Sequence, residues 1–254
     1  PHWFEFSPAL QQSETVYAER TFWLRGRLIA ENLRLSGIDV NCAPLGDIAQ
    51  PDTHHILRNR CYGTDKSQVI INARALNSGL RHGGISGVLK HIPGHGRAKL
   101  DSHLALPKVL LDQAVLEDTD FSVFKELKDM DMGMTAHLIF DQLDPKNPAT
   151  QSPAVINMIR NEIGFTGLLI TDDISMNALE GNLKTRALKA LGAGCDIVLH
   201  CNGVLQEMKL LHQNSRELAG ESLDRAKLSI NNRPTPVSID ILQLKEEFES
   251  LMNE

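Results

Sequence analysis

The chain has 254 residues, 42% hydrophobic and 23% charged, an ordinary globular composition with room for a sizeable core. A formal net charge of −6 excludes the basic surface that nucleic acid or an anionic membrane would require. No apolar run approaches the roughly 18 residues of a membrane span, and the four cysteines, none in a CxxC pair, read as buried free thiols of a reducing compartment.

Residues 1–14 read as irregular, and the chain starts at Pro1 rather than a methionine, as a processed product or a fragment would. Thr15 to Ser36 reads as a helix, since Leu24, Leu28, Ile29, Leu33 and Leu35 keep an apolar stripe and Gly37 fits the position past its end. Ile38 to Leu45 is a β-prone run. The loop after it, to Gly63, is long and polar, with His54 and His55 expected to be exposed. A helix over Lys66 to Gly83 leads to a strand at Gly87 to His91. Asp112 to Lys128 reads as one helix and Gly133 to Phe140 as one strand. Ser152-Pro153 opens the next helix in the order cap then proline, and Gly164 closes it. Leu168 to Thr171 is a strand running into Asp172-Asp173. A helix around Leu183 to Leu191 precedes a last strand, Asp196 to Cys201, and the remainder is mostly helical and charged.

Strand, loop, helix, repeated, predicts a parallel α/β sheet. Polar residues gather at strand C-terminal ends: Asp47, Lys90 and His91, His137, Asp172 and Asp173, Asn202. That is where a (β/α)8 barrel of TIM type puts its active site. Five strand–helix units are visible and a closed barrel needs eight, so the expectation is a barrel lacking its first three units. Without an internal repeat or low-complexity linker, residues 1–254 read as one domain.

The densest chemistry lies from Gly87 to Pro107, where a strand end delivers Lys90 and His91 into a Pro- and Gly-rich loop, followed by Asp101 and His103. An Asp two residues from a His can hold the imidazole in one tautomer for proton transfer, although such a pair alone also suits a solvated loop. Pro93 and Gly94 lie between His91 and His95 and rule out a helical metal-ligand pair, so no metal is expected. Asp172 and Asp173 could cap the following helix; equally, strand alternation sends one side chain into the barrel mouth while the other supports the loop.

At KHIPGHGRAKLDSH, Lys90 to His103, the sequence resembles glycoside hydrolase family 3 in its β-N-acetylglucosaminidase (NagZ-type) branch. GIDVNCAPLGDI, NRCYG, GFTGLLITDDISMNAL and AGCDIVLHCN are similar to further segments of that family, in order. The family's D-Q-E-G-G-R-V motif, carried on its first strands, is not found. The resemblance implies an N-terminally truncated family 3 catalytic barrel acting as a retaining exo-β-N-acetylglucosaminidase. It would release GlcNAc from peptidoglycan turnover fragments, GlcNAc-anhydroMurNAc peptides, in the bacterial cytoplasm. Asp172 would be the nucleophile, and His103, oriented by Asp101, the general acid/base. Arg60, Lys90 and His91 would bind the sugar. No cofactor, nucleic acid or membrane partner is implied, and a monomer is expected. Two alternatives are a family 3 glycosidase of other sugar preference and a catalytically impaired barrel that binds sugar or is vestigial.

Overall fold

A computed structural model describes residues 15–100 and 106–253. Its centre is a sheet of five parallel strands: β1 (Val40–Asn41), β2 (Ser86–Ile92), β4 (Met132–Thr135), β6 (Leu168–Asp173) and β7 (Ile197–Leu199), hydrogen-bonded in that order. These are the five strands expected from the sequence. Each neighbour in the sheet is also the next of the five in the chain, with no reversal of direction. That is the winding of a barrel wall, whereas a doubly wound sheet changes direction at a switch point. The sheet is curled and open, and β1 and β7 are its edges.

Strand alternation divides the sheet into two faces. Val88, Met132, Met134 and Leu168 form a cluster on the concave face, with Val40, Ile170, Ile197 and Leu199 partly buried around it. The convex face carries Leu89 and Leu169 into the main core with Phe22, Leu80, Phe124 and Phe165. Helices α1 (Thr15–Leu35) and α3 (Lys66–His82) pack there against each other. Their backbones meet at two glycines: a Cβ on Gly26 would lie 2.2 Å from the Leu76 carbonyl oxygen, and one on Gly79 would lie 2.1 Å from that of Trp23. Only glycine permits so close a crossing.

The remaining elements are α2 (His55–Arg58), β3 (Lys108–Val109), α4 (Gln113–Asp118), α5 (Asp120–Glu126), β5 (Ile139–Phe140), α6 (Pro153–Met158), α7 (Leu183–Ala193), α8 (Leu205–Asn214), α9 (Gly220–Asn231) and α10 (Ile241–Asn253). Ser152 caps α6 through the Val155 N–H at 3.2 Å, and Gly164, at φ 78°, ends the π turn Ile159–Ile163 that continues it. Two expected elements are each split. The helix expected over Asp112 to Lys128 breaks at Thr119, whose hydroxyl contacts the Val115 carbonyl at 2.6 Å and Asp120 at 2.9 Å instead of leaving the turn regular. The strand expected from Gly133 to Phe140 stops at Thr135, turns through Ala136–Leu138, and resumes as β5, which pairs in parallel with β3.

At the N-terminal ends of the strands α9 closes over the concave face, where Ala226 joins the apolar cluster. Acidic residues just before three strands hold it there. Asp196 binds Ser222 and Arg225, Asp131 accepts from Asn232 at 2.7 Å, and Asp39 pairs with Arg233 at 2.8 Å. Among the described residues no helix is long and apolar enough to cross a membrane.

Candidate active site

A cavity of about 180 Å3 opens at the C-terminal ends of the strands, lined by Cys42, Arg60, Lys90, His91, His95, Asp172 and Cys201 among others. Four of the six residues expected to form the site therefore meet in one place: Arg60, Lys90, His91 and Asp172. Asp101 and His103 lie outside the described residues.

Each side chain is delivered by a local arrangement. Cys61 and Tyr62 are buried, the Tyr62 ring packs on Phe22 with centroids 4.8 Å apart, and the Tyr62 carbonyl accepts from Asn72 at 2.8 Å. With its two successors anchored in the core, Arg60 is left at the cavity wall. Lys90 ends the regular part of β2, its N–H donating to the Pro44 carbonyl at 3.0 Å and its carbonyl accepting from Gly46 at 2.7 Å. The Lys90–His91 and Ile92–Pro93 peptide bonds are cis. Burial first, then the neighbouring Arg60, lowers the Lys90 ammonium from its ordinary value.

The residue that organises this corner is Asp47, fully buried. Its Oδ1 accepts from the backbone N–H groups of His95 at 2.7 Å and His91 at 3.3 Å, and its Oδ2 lies 2.7 Å from His91 Nδ1. Burial pushes the Asp47 carboxyl up and the His91 imidazole well down, so the imidazole is neutral. Its hydrogen sits on Nδ1, where it meets the carboxylate, and Nε2 faces the cavity as an acceptor suited to a sugar hydroxyl. The loop that follows is pinned in three more places. Thr53 donates to the Gly96 carbonyl, the His54 N–H donates to the Ala98 carbonyl at 3.0 Å, and Arg97 Nε pairs with the buried Asp120 at 2.5 Å.

Asp172 and Asp173 divide their roles by alternation. Asp173 turns its carboxylate to the loop: Oδ1 accepts from the N–H groups of Ser175 at 3.1 Å and Cys201 at 3.2 Å, and Oδ2 from the Ser175 hydroxyl at 2.7 Å. Asp172 turns into the cavity. Its Oδ1 accepts from the Asp173 N–H at 2.8 Å, and its Oδ2 stands 3.9 Å from His91 Nε2, too far for a hydrogen bond. Burial works against ionisation of Asp172, but its neighbours, the Asp173 N–H and the Lys90 ammonium among them, outweigh it, and the carboxyl lies below its ordinary value. An ionised carboxylate with one oxygen held and the other open is a competent nucleophile.

The sequence reading missed several members of the site. Cys42 and Cys201 are expected to be buried, yet both are exposed at the cavity, where they follow the ends of the edge strands β1 and β7. Burial first, then Asp173 and Asp172, raises the Cys201 thiol to about 11, so it stays protonated. His54, expected in an exposed loop, is half-buried and lines the cavity, while His55 is exposed. Asp47, in the otherwise apolar stretch APLGDIA, is among the polar residues expected at strand C-terminal ends but not among the expected site residues.

Comparison with known proteins identifies the family. The model of the glycosyl hydrolase family 3 N-terminal domain matches residues 4–231. A beta-hexosaminidase of Methylobacillus flagellatus is 34% identical over 204 residues, 79% of this chain and 58% of that protein, so the chain spans little more than half the length of this relative. The crystal structure of NagZ from Neisseria gonorrhoeae in complex with N-trifluoroacetyl-D-glucosamine superposes with a TM-score of 0.80 at 28% identity, covering 100% of this chain and 74% of that one. A family 3 beta-N-acetylglucosaminidase from a Paenibacillus species gives 0.79 at 27% identity, covering 91% and 49%. With the family model spanning most of its length, the chain belongs to glycosyl hydrolase family 3.

Proposed function

We propose that this protein is a retaining exo-β-N-acetylglucosaminidase. The observation that carries the reading is Asp172, with Oδ2 open to the same cavity as Lys90, His91 and Arg60 at the strand C-terminal ends. In the first step Asp172 Oδ2 forms a bond to the anomeric carbon as the glycosidic C–O bond breaks, and His103, cationic and oriented by Asp101, gives its proton to the leaving oxygen. In the second step neutral His103 takes a proton from water, whose oxygen attacks the same carbon and releases the Asp172 carboxylate. Lys90, Arg60 and the acceptor Nε2 of His91 hold the sugar hydroxyls. The five strand units are the C-terminal part of an eight-unit barrel, with three further units closing it between β7 and β1. Beta-hexosaminidase relatives and the NagZ neighbour support a β-linked GlcNAc substrate, and we extend this to GlcNAc-anhydroMurNAc peptides handled by a monomer in the bacterial cytoplasm.

The test is hydrolysis of 4-nitrophenyl N-acetyl-β-glucosaminide. Turnover that disappears in Asp172→Ala supports the reading, and turnover that survives in the variant removes it. His103→Ala should lose less on this substrate than on one with a poor leaving group, because nitrophenol leaves with little protonation. Equal losses on both would remove His103 as the acid. A second reading, sugar binding without turnover, draws on the cleft of about 750 Å3 that continues from Cys42 past Arg60 to Arg25 and Ile29 on α1 and leaves this side of the site open. GlcNAc binding with no hydrolysis would select it.

A further inference from the structure

His137 is fully buried behind Asp172 and Asp173 and is not among the groups assigned to the reaction above. Its Nε2 lies 3.1 Å from the Asp173 carbonyl oxygen, and its Nδ1 lies 2.7 Å from Thr150 Oγ1. Thr150 is itself buried, in the 3-10 turn Ala149–Gln151, and its hydroxyl also meets Thr135 Oγ1 at 2.8 Å and the Ala136 carbonyl at 3.0 Å. These distances decide where the hydrogens are. A carbonyl oxygen can only accept, so Nε2 carries the hydrogen of the imidazole. Burial lowers the imidazole from its ordinary value, which leaves it neutral, and Nδ1 is then an acceptor. The single hydrogen of Thr150 is shared between Nδ1 and the Ala136 carbonyl, and the Thr135 hydroxyl donates to Thr150 in turn.

The chain of bonds continues toward the candidate nucleophile. Asp173 is held at its carbonyl by His137 and at its carboxylate by Ser175 and Cys201, and its N–H lies on Asp172 Oδ1. Resting on the proposed glycosidase reading, we propose that His137 is a positioning residue that acts through Asp173 to fix Asp172 Oδ1 and so selects Oδ2 as the oxygen presented to the anomeric carbon. The turn Ala136–Leu138 that interrupts the expected strand has a purpose in this scheme. It carries His137 to the Asp173 carbonyl while the Ala136 N–H donates to the Ile92 carbonyl at 2.9 Å.

Two measurements on the full chain test the inference, one of which needs no activity. With 15N-labelled histidine, and the His137 signals identified by their loss in His137→Leu, Nε2 should resonate as a protonated nitrogen and Nδ1 as an unprotonated acceptor. A proton on Nδ1, or exchange between tautomers, would overturn the proposal whether or not the protein turns over substrate. In kinetics on the nitrophenyl substrate, His137→Leu should lower kcat by about 10- to 100-fold, as loss of an outer support to a reacting group does, with KM within about threefold. His137→Gln, whose amide can still donate to the carbonyl, should recover most of that loss. A merely structural role would instead lower the melting temperature of both variants without separating kcat from KM. Should His137→Leu fail to fold, Thr150→Val tests the same relay one bond further away, with a smaller loss of kcat at unchanged KM. A wild-type protein active on the substrate, with kcat unmoved by a folded His137→Leu, sinks the inference and leaves the glycosidase intact. An inactive wild type sinks the glycosidase reading, and the tautomer measurement then decides on His137 by itself.

Discussion

Two aspartates at opposite ends of the sheet show how one residue type is used in two ways. Asp196 lies just before β7 at the N-terminal ends of the strands, and Asp172 lies near the end of β6 at the C-terminal ends. Asp196 is saturated: Arg160 at 2.8 Å, Arg225 at 2.9 Å, the Ser222 hydroxyl at 2.6 Å and the Leu169 N–H at 2.8 Å all donate to it. Asp172 receives one backbone N–H among the described residues, and its second oxygen is left to the cavity. A carboxylate with every lone pair engaged is bound into the fold and has nothing to offer a reacting carbon. One that is ionised yet under-coordinated keeps its nucleophilicity. The difference follows the division in α/β barrels between a stabilising end and a reactive end, and here it comes down to counting donors.

The largest expected effect breaks the reactive end. Asp172→Asn keeps the shape and removes the nucleophile, so kcat on the nitrophenyl sugar should fall by about 10⁴-fold or more while the thermal midpoint moves little. Circular dichroism melts beside the kinetic assay check both halves of that statement. A large drop in Tm would mean that Asp172 belongs with the structural aspartates after all.

Asp196→Asn should do the converse. It leaves two arginines facing a neutral amide in a buried site, a disruption of about 3–5 kcal/mol, which for a chain of this size is about ten degrees or more in Tm. Activity per folded molecule should be retained. Loss of activity at temperatures where the variant is fully folded would show that the two ends of the sheet are coupled.

Asp47→Asn tests an intermediate case, a saturated carboxylate at the reactive end. Asparagine keeps one acceptor oxygen for the His91 and His95 N–H groups but puts an amide where His91 Nδ1–H needs an acceptor. The imidazole then loses its fixed orientation, and kcat/KM should fall by about 10- to 100-fold, through binding more than chemistry. An effect confined to kcat would give Asp47 a different role from the one drawn from its hydrogen bonds.

The sequence carried the strands more clearly than the site. All five strands of the sheet were visible because runs such as GVL, LLIT and DIVL are apolar on both faces, as strands buried between helices and a barrel interior must be. The helix opened by Ser152-Pro153 was also visible, and Ser152 accepts the expected backbone N–H from Val155. The breaks at Thr119 and Ala136 were not. Besides local contacts, each involves a group distant in sequence: Arg97, which reaches the Thr119 hydroxyl at 3.0 Å, and Asp173, whose carbonyl contacts His137. Local periodicity has no access to such partners. Asp47 and His137 stayed in the background for the same reason, because their importance lies in distances across strands. Lys90, His91 and Asp172 stood out because charge at the end of an apolar run is visible in one dimension, whereas Arg60 came only with the family resemblance.

The smallest expected effect is also the one with a definite sign, and it sets Asp196 against Asp47. The Asp196 carboxyl lies below its ordinary value of 3.8, because Arg225, the Leu169 N–H, Ser222 and Arg160 together outweigh the burial that would raise it. A carboxyl lowered on folding stabilises the fold fully above its unfolded value and loses that contribution as pH falls through the folded value. Asp47 is raised by burial. Its contribution is complete below the unfolded value and declines as pH rises through the folded one. Between about pH 5 and pH 2, therefore, stability measured by urea denaturation should fall more for the wild type than for Asp196→Asn, by about 1.4 kcal/mol for each pH unit separating the folded and unfolded values. For Asp47→Asn the difference from wild type should run the other way, the variant losing more stability on acidification than its parent. Parallel acid limbs for all three proteins would mean that these carboxyls titrate as they do in the unfolded chain. The distinction between a saturated structural aspartate and a buried organising one would then rest on hydrogen-bond geometry alone.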